Sequence, residues 1–166
     1  MTEHNKPRTV GELKASSYRP LTVREEMRRN LIKMIREGRT AFPGIIGYDE
    51  TVIPQIENAT ISGQDIIFLG ERGQAKSRLM RLRVNLFDEE VPVVRGCEIN
   101  DQPLAPICKK CRDKLLKEGD ATEIDWLPRH ERYGEKLATP DITVADLVGD
   151  IDPIKVAEGR YLSDEL

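Results

Sequence analysis

Gly70-Glu-Arg-Gly-Gln-Ala-Lys-Ser77 is the stretch on which the reading of this chain turns. It fits the phosphate-loop pattern G-x-x-x-x-G-K-[ST] at every fixed position but one, with Ala75 where the pattern has glycine. Each part has a physical task. Gly70 lets the backbone turn sharply. Gly73 lets the loop curl so that backbone N–H groups point inward, and with the next helix N-terminus these groups form a concave anion site. Lys76 adds positive charge at the β- and γ-phosphates, and Ser77 offers a hydroxyl to Mg²⁺. An alanine fits at position 75 with helical or extended dihedrals, since only a positive φ penalises it.

The flanks suit such a loop. Asp65-Ile-Ile-Phe-Leu69 is a short, nearly continuous apolar run of the kind found in buried parallel strands. Ser77 to Phe87 reads as a helix with Leu79, Leu82 and Leu86 on one side. Further upstream, Thr22-Val-Arg-Glu25 has the capping-box form. Val23, Met27, Leu31, Met34 and Ile35 follow at helical spacing, with Gly38 as the stop, so the pattern predicts an amphipathic helix over residues 22–37. Its Arg24, Arg28, Arg29, Lys33 and Arg36 read as a solvated face. Phe42-Pro-Gly-Ile-Ile-Gly47 is turn-rich, and a second helix is predicted from Thr51 to Ser62, with Pro54 in its first turn. Pro92-Val-Val-Arg95 reads as the next strand. Residues 96–140 form an irregular insertion with a short helix near Cys108 to Glu118, and Val144 to Ile151 is apolar again. Met1 to Pro20 is polar and reads as mobile.

Of the 166 residues, 39% are apolar and 33% charged, with a formal net charge of -3. That balance gives no basic excess to point at nucleic acid. No apolar run approaches the ~20 residues of a membrane span, and Met1 to Thr9 lacks the apolar core of a secretory signal. Ser163-Asp164-Glu165-Leu166 resembles an ER-retention tail only by chance. Three cysteines, an odd number, are unlike a secreted disulfide framework and place the chain in a reducing cytoplasm.

Those cysteines, Cys97, Cys108 and Cys111, form C-x10-C-x2-C. A C-x2-C pair is the usual half of a structural zinc site. The fourth ligand would be His130, the nearest imidazole, with Asp101 as the weaker option; His4 is far away along the chain. Three free, partly buried thiols are the better reading, with zinc as the alternative. Trp126 and Tyr133 lie close to Arg129, His130 and Arg132, an arrangement that can bind single-stranded nucleic acid. The cluster is short and contains Glu131 and Glu135, so packing within the insertion is the better reading. Arg78, Arg81 and Arg83 read as a solvated helix face.

Three stretches resemble the AAA+ ATPases, specifically the magnesium chelatase ATPase subunit and the related MoxR-type ATPases. Phe42 to Gly47 looks like the segment that contacts adenine, and Gly70 to Ser77 looks like Walker A, where Ala-Lys-Ser is a usual variant. Leu147-Val-Gly-Asp-Ile-Asp-Pro-Ile-Lys155, with Glu158-Gly159 after it, is similar to a segment particular to the chelatases. The resemblance implies an α/β P-loop NTPase fold of AAA+ type, with residues 1–40 as tail and helix and residues 41–166 as a partial nucleotide-binding domain. It implies ATP contacts from Ile45, Ile46 and Gly47, and from Gly70, Glu71, Arg72, Gly73, Gln74, Ala75, Lys76, Ser77 and Arg78. Lys76 would serve catalysis and Ser77 would hold Mg²⁺. It also implies a homo-oligomeric ring that hydrolyses ATP to remodel a partner protein. No apolar run ending in Asp-Glu follows Ser77, so Walker B is missing and the chain is expected to be a fragment that does not hydrolyse ATP alone. A MoxR-type chaperone or regulator, and a non-catalytic zinc-stabilised interaction module, are the alternatives. Some chelatase-like relatives carry a fuller cysteine set in the insertion.

Overall fold

A computed structural model describes residues 6–148. His4, the chelatase-like stretch from residue 149 onward and the tail at Ser163–Leu166 lie outside the described residues. The chain divides into two units. One comprises Arg19–Val91 and Pro128–His130; the other comprises the residues up to Tyr18, Pro92–Leu127 and the residues from Glu131 on. They are called here the loop unit and the cysteine unit, after what each contains.

In the loop unit the helices follow the sequence pattern closely. Helix α2 spans Val23–Arg36, after a short α1 that belongs to the other unit. Its capping box is complete: the Glu25 N–H donates to Thr22 Oγ1, and the Thr22 N–H donates to Glu25 Oε2 at 2.9 Å. Met27 and Leu31 are buried, whereas Val23 and Ile35 are exposed despite their spacing. Glu26 is buried instead, and its Oε1 accepts the Asp88 N–H at 2.7 Å. Arg29, expected on a wet face, forms a two-pronged pair with Asp88. Helix α3 spans Val52–Ile61, and α4 spans Lys76–Leu82 before tightening into a 3-10 turn, Arg83–Leu86. The Leu86 carbonyl accepts the Asn30 side chain at 2.9 Å, which satisfies a group that the helix end leaves open. Phe42, Ile45, Ile53, Ile56, Leu79 and Leu86 complete one apolar core with Met27 and Leu31.

Residues 64–70 carry no assigned helix, strand or turn. Ile66 and Phe68 pack against the core, while Ile67 is 82% and Leu69 88% exposed. The alternation has the period of a strand. Among the described residues, however, no ladder includes this stretch, so the strand expected before the phosphate loop is not found. Strand status requires a partner, and the only sheet described has two strands.

That sheet pairs β1, Glu90–Val94, with β2, Ile124–Pro128. The Arg95 N–H donates to the Glu123 carbonyl at 3.1 Å, and the Arg129 N–H donates to the Glu89 carbonyl at 2.9 Å. Numbers rise on one strand as they fall on the other, so the pairing is antiparallel. The predicted strand at Pro92 thus exists, but in an antiparallel ribbon whose second strand lies within the insertion.

In the cysteine unit residues 6–18 are held by specific contacts, contrary to the mobile reading of that stretch. The Ile124 N–H donates to the Arg8 carbonyl and the Val10 N–H to the Thr122 carbonyl, with Thr9 bridged to Glu123. Helix α1, Val10–Ala15, is capped by Thr9, whose side chain accepts the Glu12 N–H. Its Gly11 lies so close to Asp120 that a Cβ there would meet the Asp120 Cβ at 3.0 Å. Val10, Leu13 and Ile124 form the core of this region, with Trp126 packed against it and donating to the Pro7 carbonyl at 2.9 Å. Packing, not base stacking, therefore accounts for Trp126. Helix α5, Lys109–Glu118, and the short α6, Val144–Val148, complete the described elements.

Candidate functional site

The residues of the phosphate-loop motif form a tight turn at the start of α4. Gly70 has φ +151, a conformation that residues with a side chain rarely adopt, so glycine is favoured there. Gly73 has φ +83. Ala75 has φ 55 and ψ 15, a left-handed conformation. The expectation of helical or extended dihedrals at Ala75 is therefore overturned. The chain must reverse immediately before α4, and residue 75 is the pivot. Lys76 Nζ lies inside the turn, donating to the Gly70 carbonyl at 2.8 Å and to the Glu71 carbonyl. Ser77, Arg78 and residues 71–74 are exposed, and Ala75 and Lys76 are half-buried.

The segment expected to contact adenine runs beside this turn. A Cβ on Gly44 would meet Arg78 Nη2 at 2.6 Å, and the Tyr48 hydroxyl reaches the Gln74 carbonyl at 3.5 Å. The three residues named from this segment divide. Ile45 is part of the core, Ile46 is 90% exposed, and Gly47 turns the chain at φ +82. Only Ile46 presents a free apolar side chain here.

A second group lies in the cysteine unit. Cys97, Asp101, Cys108 and Cys111 bring one ligand atom each to within 4.8 Å of one another, a group that could hold a metal ion. Two chain segments supply them. The first is a turn in which Asn100, at φ 53, points the Asp101 N–H back at Cys97 Sγ, 3.3 Å away. Asparagine is among the residues that tolerate this conformation. The second is the N-terminus of α5, where Cys108 is the N-cap and its Sγ accepts the Cys111 N–H at 3.3 Å. Cys97 Sγ and Cys108 Sγ are 4.0 Å apart. Four metal–sulfur bonds of about 2.3 Å at tetrahedral angles place sulfurs about 3.8 Å apart, so the spacing suits a small tetrahedral ion.

The thiols are not equivalent. Burial pushes the Cys111 thiol well up, and the neighbouring Cys108 and Cys97 sulfurs add to the effect. At Cys97 burial opposes ionisation too, but it is outweighed by hydrogen bonds from the backbone of Asp101 and Ile99 and from the Cys111 and Cys108 thiols. The net shift at Cys97 is downward. One thiol is thus shifted down and its neighbour up, as expected of close sulfurs that share negative charge. A bound cation would remove that conflict.

His130 is not a member of the group; it lies in the 3-10 turn Arg129–Arg132. Asp101 takes the fourth place, which corrects the ranking of His130 above it. The C-x3-D spacing from Cys97 to Asp101 was the available signal. Comparisons with protein families, with curated proteins and with solved structures returned no match.

Proposed function

We propose that the chain is the ATP-binding portion of a magnesium chelatase-like AAA+ ATPase, a ring-forming motor that couples ATP hydrolysis to remodelling of a partner protein. The observation that carries the reading is the motif Gly70–Ser77 folded as a turn around the Lys76 ammonium at the start of α4. In this reading the loop N–H groups cradle phosphate, Lys76 neutralises its charge, and the exposed Ser77 hydroxyl takes Mg²⁺. Ile46 and the Gly44–Arg78 approach mark the side on which the base would lie. Replacing Lys76→Ala removes a charge-assisted contact worth roughly 1.5–3 kcal/mol, so MgATP affinity falls about 10- to 100-fold by calorimetry. Equal affinity for both proteins overturns the assignment.

Zinc at Cys97, Asp101, Cys108 and Cys111 belongs to the same proposal, as a structural ion that crosslinks the cysteine unit. The sulfur spacing also favours a second reading, a zinc-stabilised interaction module without nucleotide chemistry. Zinc bound at one equivalent, with no measurable ATP affinity, selects that second reading.

A further inference from the structure

Asp101 is placed unusually for a residue with only a loop to hold. It is 5% exposed, yet it is a carboxylate, and burial of a charge requires compensation. Part of that compensation is visible. Oδ1 accepts the Gln102 N–H at 3.1 Å and the Ile107 N–H at 3.0 Å. Oδ2 accepts the Ile107 N–H at 2.9 Å and the Cys108 N–H at 2.9 Å. The Ile107 N–H is shared between the two oxygens, so three N–H groups make four contacts with a carboxylate that offers about four acceptor positions, and a metal bond would take over one side of that shared contact. The carboxylate also lies within the 4.8 Å group with all three sulfurs.

The two segments that carry the thiols are therefore already joined without metal. The Asp101 side chain grips the backbone of Ile107 and Cys108, and its own N–H is bonded to Cys97 Sγ. A ligand fixed by three hydrogen bonds needs little reorganisation on binding, and outer-shell bonds of this kind orient ligands and hold their protonation state. Three thiolates alone leave one tetrahedral position to solvent, as in catalytic zinc sites, whereas a fourth protein ligand closes the site.

We propose that Asp101 is the fourth ligand of a closed Cys3Asp zinc site, and that through its N–H contacts it ties that ion to the loop 101–108. The proposal rests on the zinc reading above. It assigns to one side chain both the coordination and the alignment of Cys108 at the start of α5.

Cobalt(II) tests it, because its visible spectrum reports ligand number and type. Titrated into the metal-free full chain, cobalt gives tetrahedral d–d bands with thiolate charge transfer. In Asp101→Cys the d–d bands move to lower energy and the charge-transfer intensity rises in the proportion of four thiolates to three. In Asp101→Asn the affinity falls by at least about tenfold and the bands shift. A wild-type spectrum reproduced unchanged by both variants overturns the proposal while leaving zinc in place. Absence of tetrahedral bands in the wild type instead overturns the zinc reading. A measurement on the wild type alone covers the case in which a variant does not fold. Added imidazole leaves the cobalt spectrum unchanged if Asp101 closes the site, and shifts it if the fourth position holds solvent.

Discussion

Ala75 shows what a single backbone angle contributes. A residue with a Cβ in the left-handed region costs about 1–2 kcal/mol, and Ala75 has φ 55. Glycine there relieves the strain but gives back about 0.4–1 kcal/mol through the greater freedom of the unfolded chain. Ala75→Gly should therefore stabilise the protein by about 1 kcal/mol, read as a higher urea midpoint at unchanged slope. A lower midpoint would show that the left-handed angle is not strained. The motif in the sequence marked a turn before α4 but not this angle, because nothing local distinguishes a helical from a left-handed Ala before Lys76. Similarly, Cys97, Cys108 and Cys111 were legible as a group, but their fourth neighbour was not. Imidazole seemed the better ligand by type, and only the turn at Asn100 brings Asp101 back onto Cys97.

Among elements, those with their own start signals were readable and those that depend on a partner were not. Helix α2 begins and ends within a residue of the pattern because Thr22, Glu25 and Gly38 mark it locally. Thr22→Ala removes that mark and costs about 1 kcal/mol, measurable by denaturant titration. The same box carries a pH signature. The backbone N–H of Thr22, and then its hydroxyl, hold the Glu25 carboxyl below its ordinary value of 4.5. A depressed carboxyl stabilises the fold above its unfolded pKa and loses that contribution as pH falls through the folded one. Stability of the wild type should thus fall more steeply below pH 4.5 than that of Glu25→Gln, which has no carboxyl to protonate; parallel curves would contradict the box. By contrast, Ile66–Leu69 has the composition of a strand without a ladder, and β2 is a strand despite Asp125 and Pro128. Strand propensity expresses fit to neighbours more than an intrinsic preference. Helix α1 went unread because Thr9 and Glu12 are embedded in a polar tail, although the Arg8 N–H to Glu12 bond completes much of a capping box.

At the scale of the whole molecule, the division into units differs from the linear one read from sequence. Residues 6–18 group with Pro92–Leu127 rather than with the helix that follows them. Pairing of Arg8–Val10 with Thr122–Ile124 leaves no local trace, since either stretch alone is short and polar. If zinc holds the cysteine unit, a chelator should speed amide exchange across Pro92–Leu127 while Arg19–Val91 keeps its protection. Equal loosening of both would show that the metal is not a local crosslink.

The bond from Trp126 to the Pro7 carbonyl spans 119 positions of chain, and it sets an order of events during synthesis. Translation proceeds at about 5–20 residues per second, so the segment at Pro7 waits on the order of ten seconds for its partner to be made. Closing a loop of that length costs about 4 kcal/mol in chain entropy. Arg19–Val91 emerges in the interval and can collapse before that contact forms. Pro7 thus leaves the ribosome before Arg19–Val91 and acquires this contact only after Trp126 has been made.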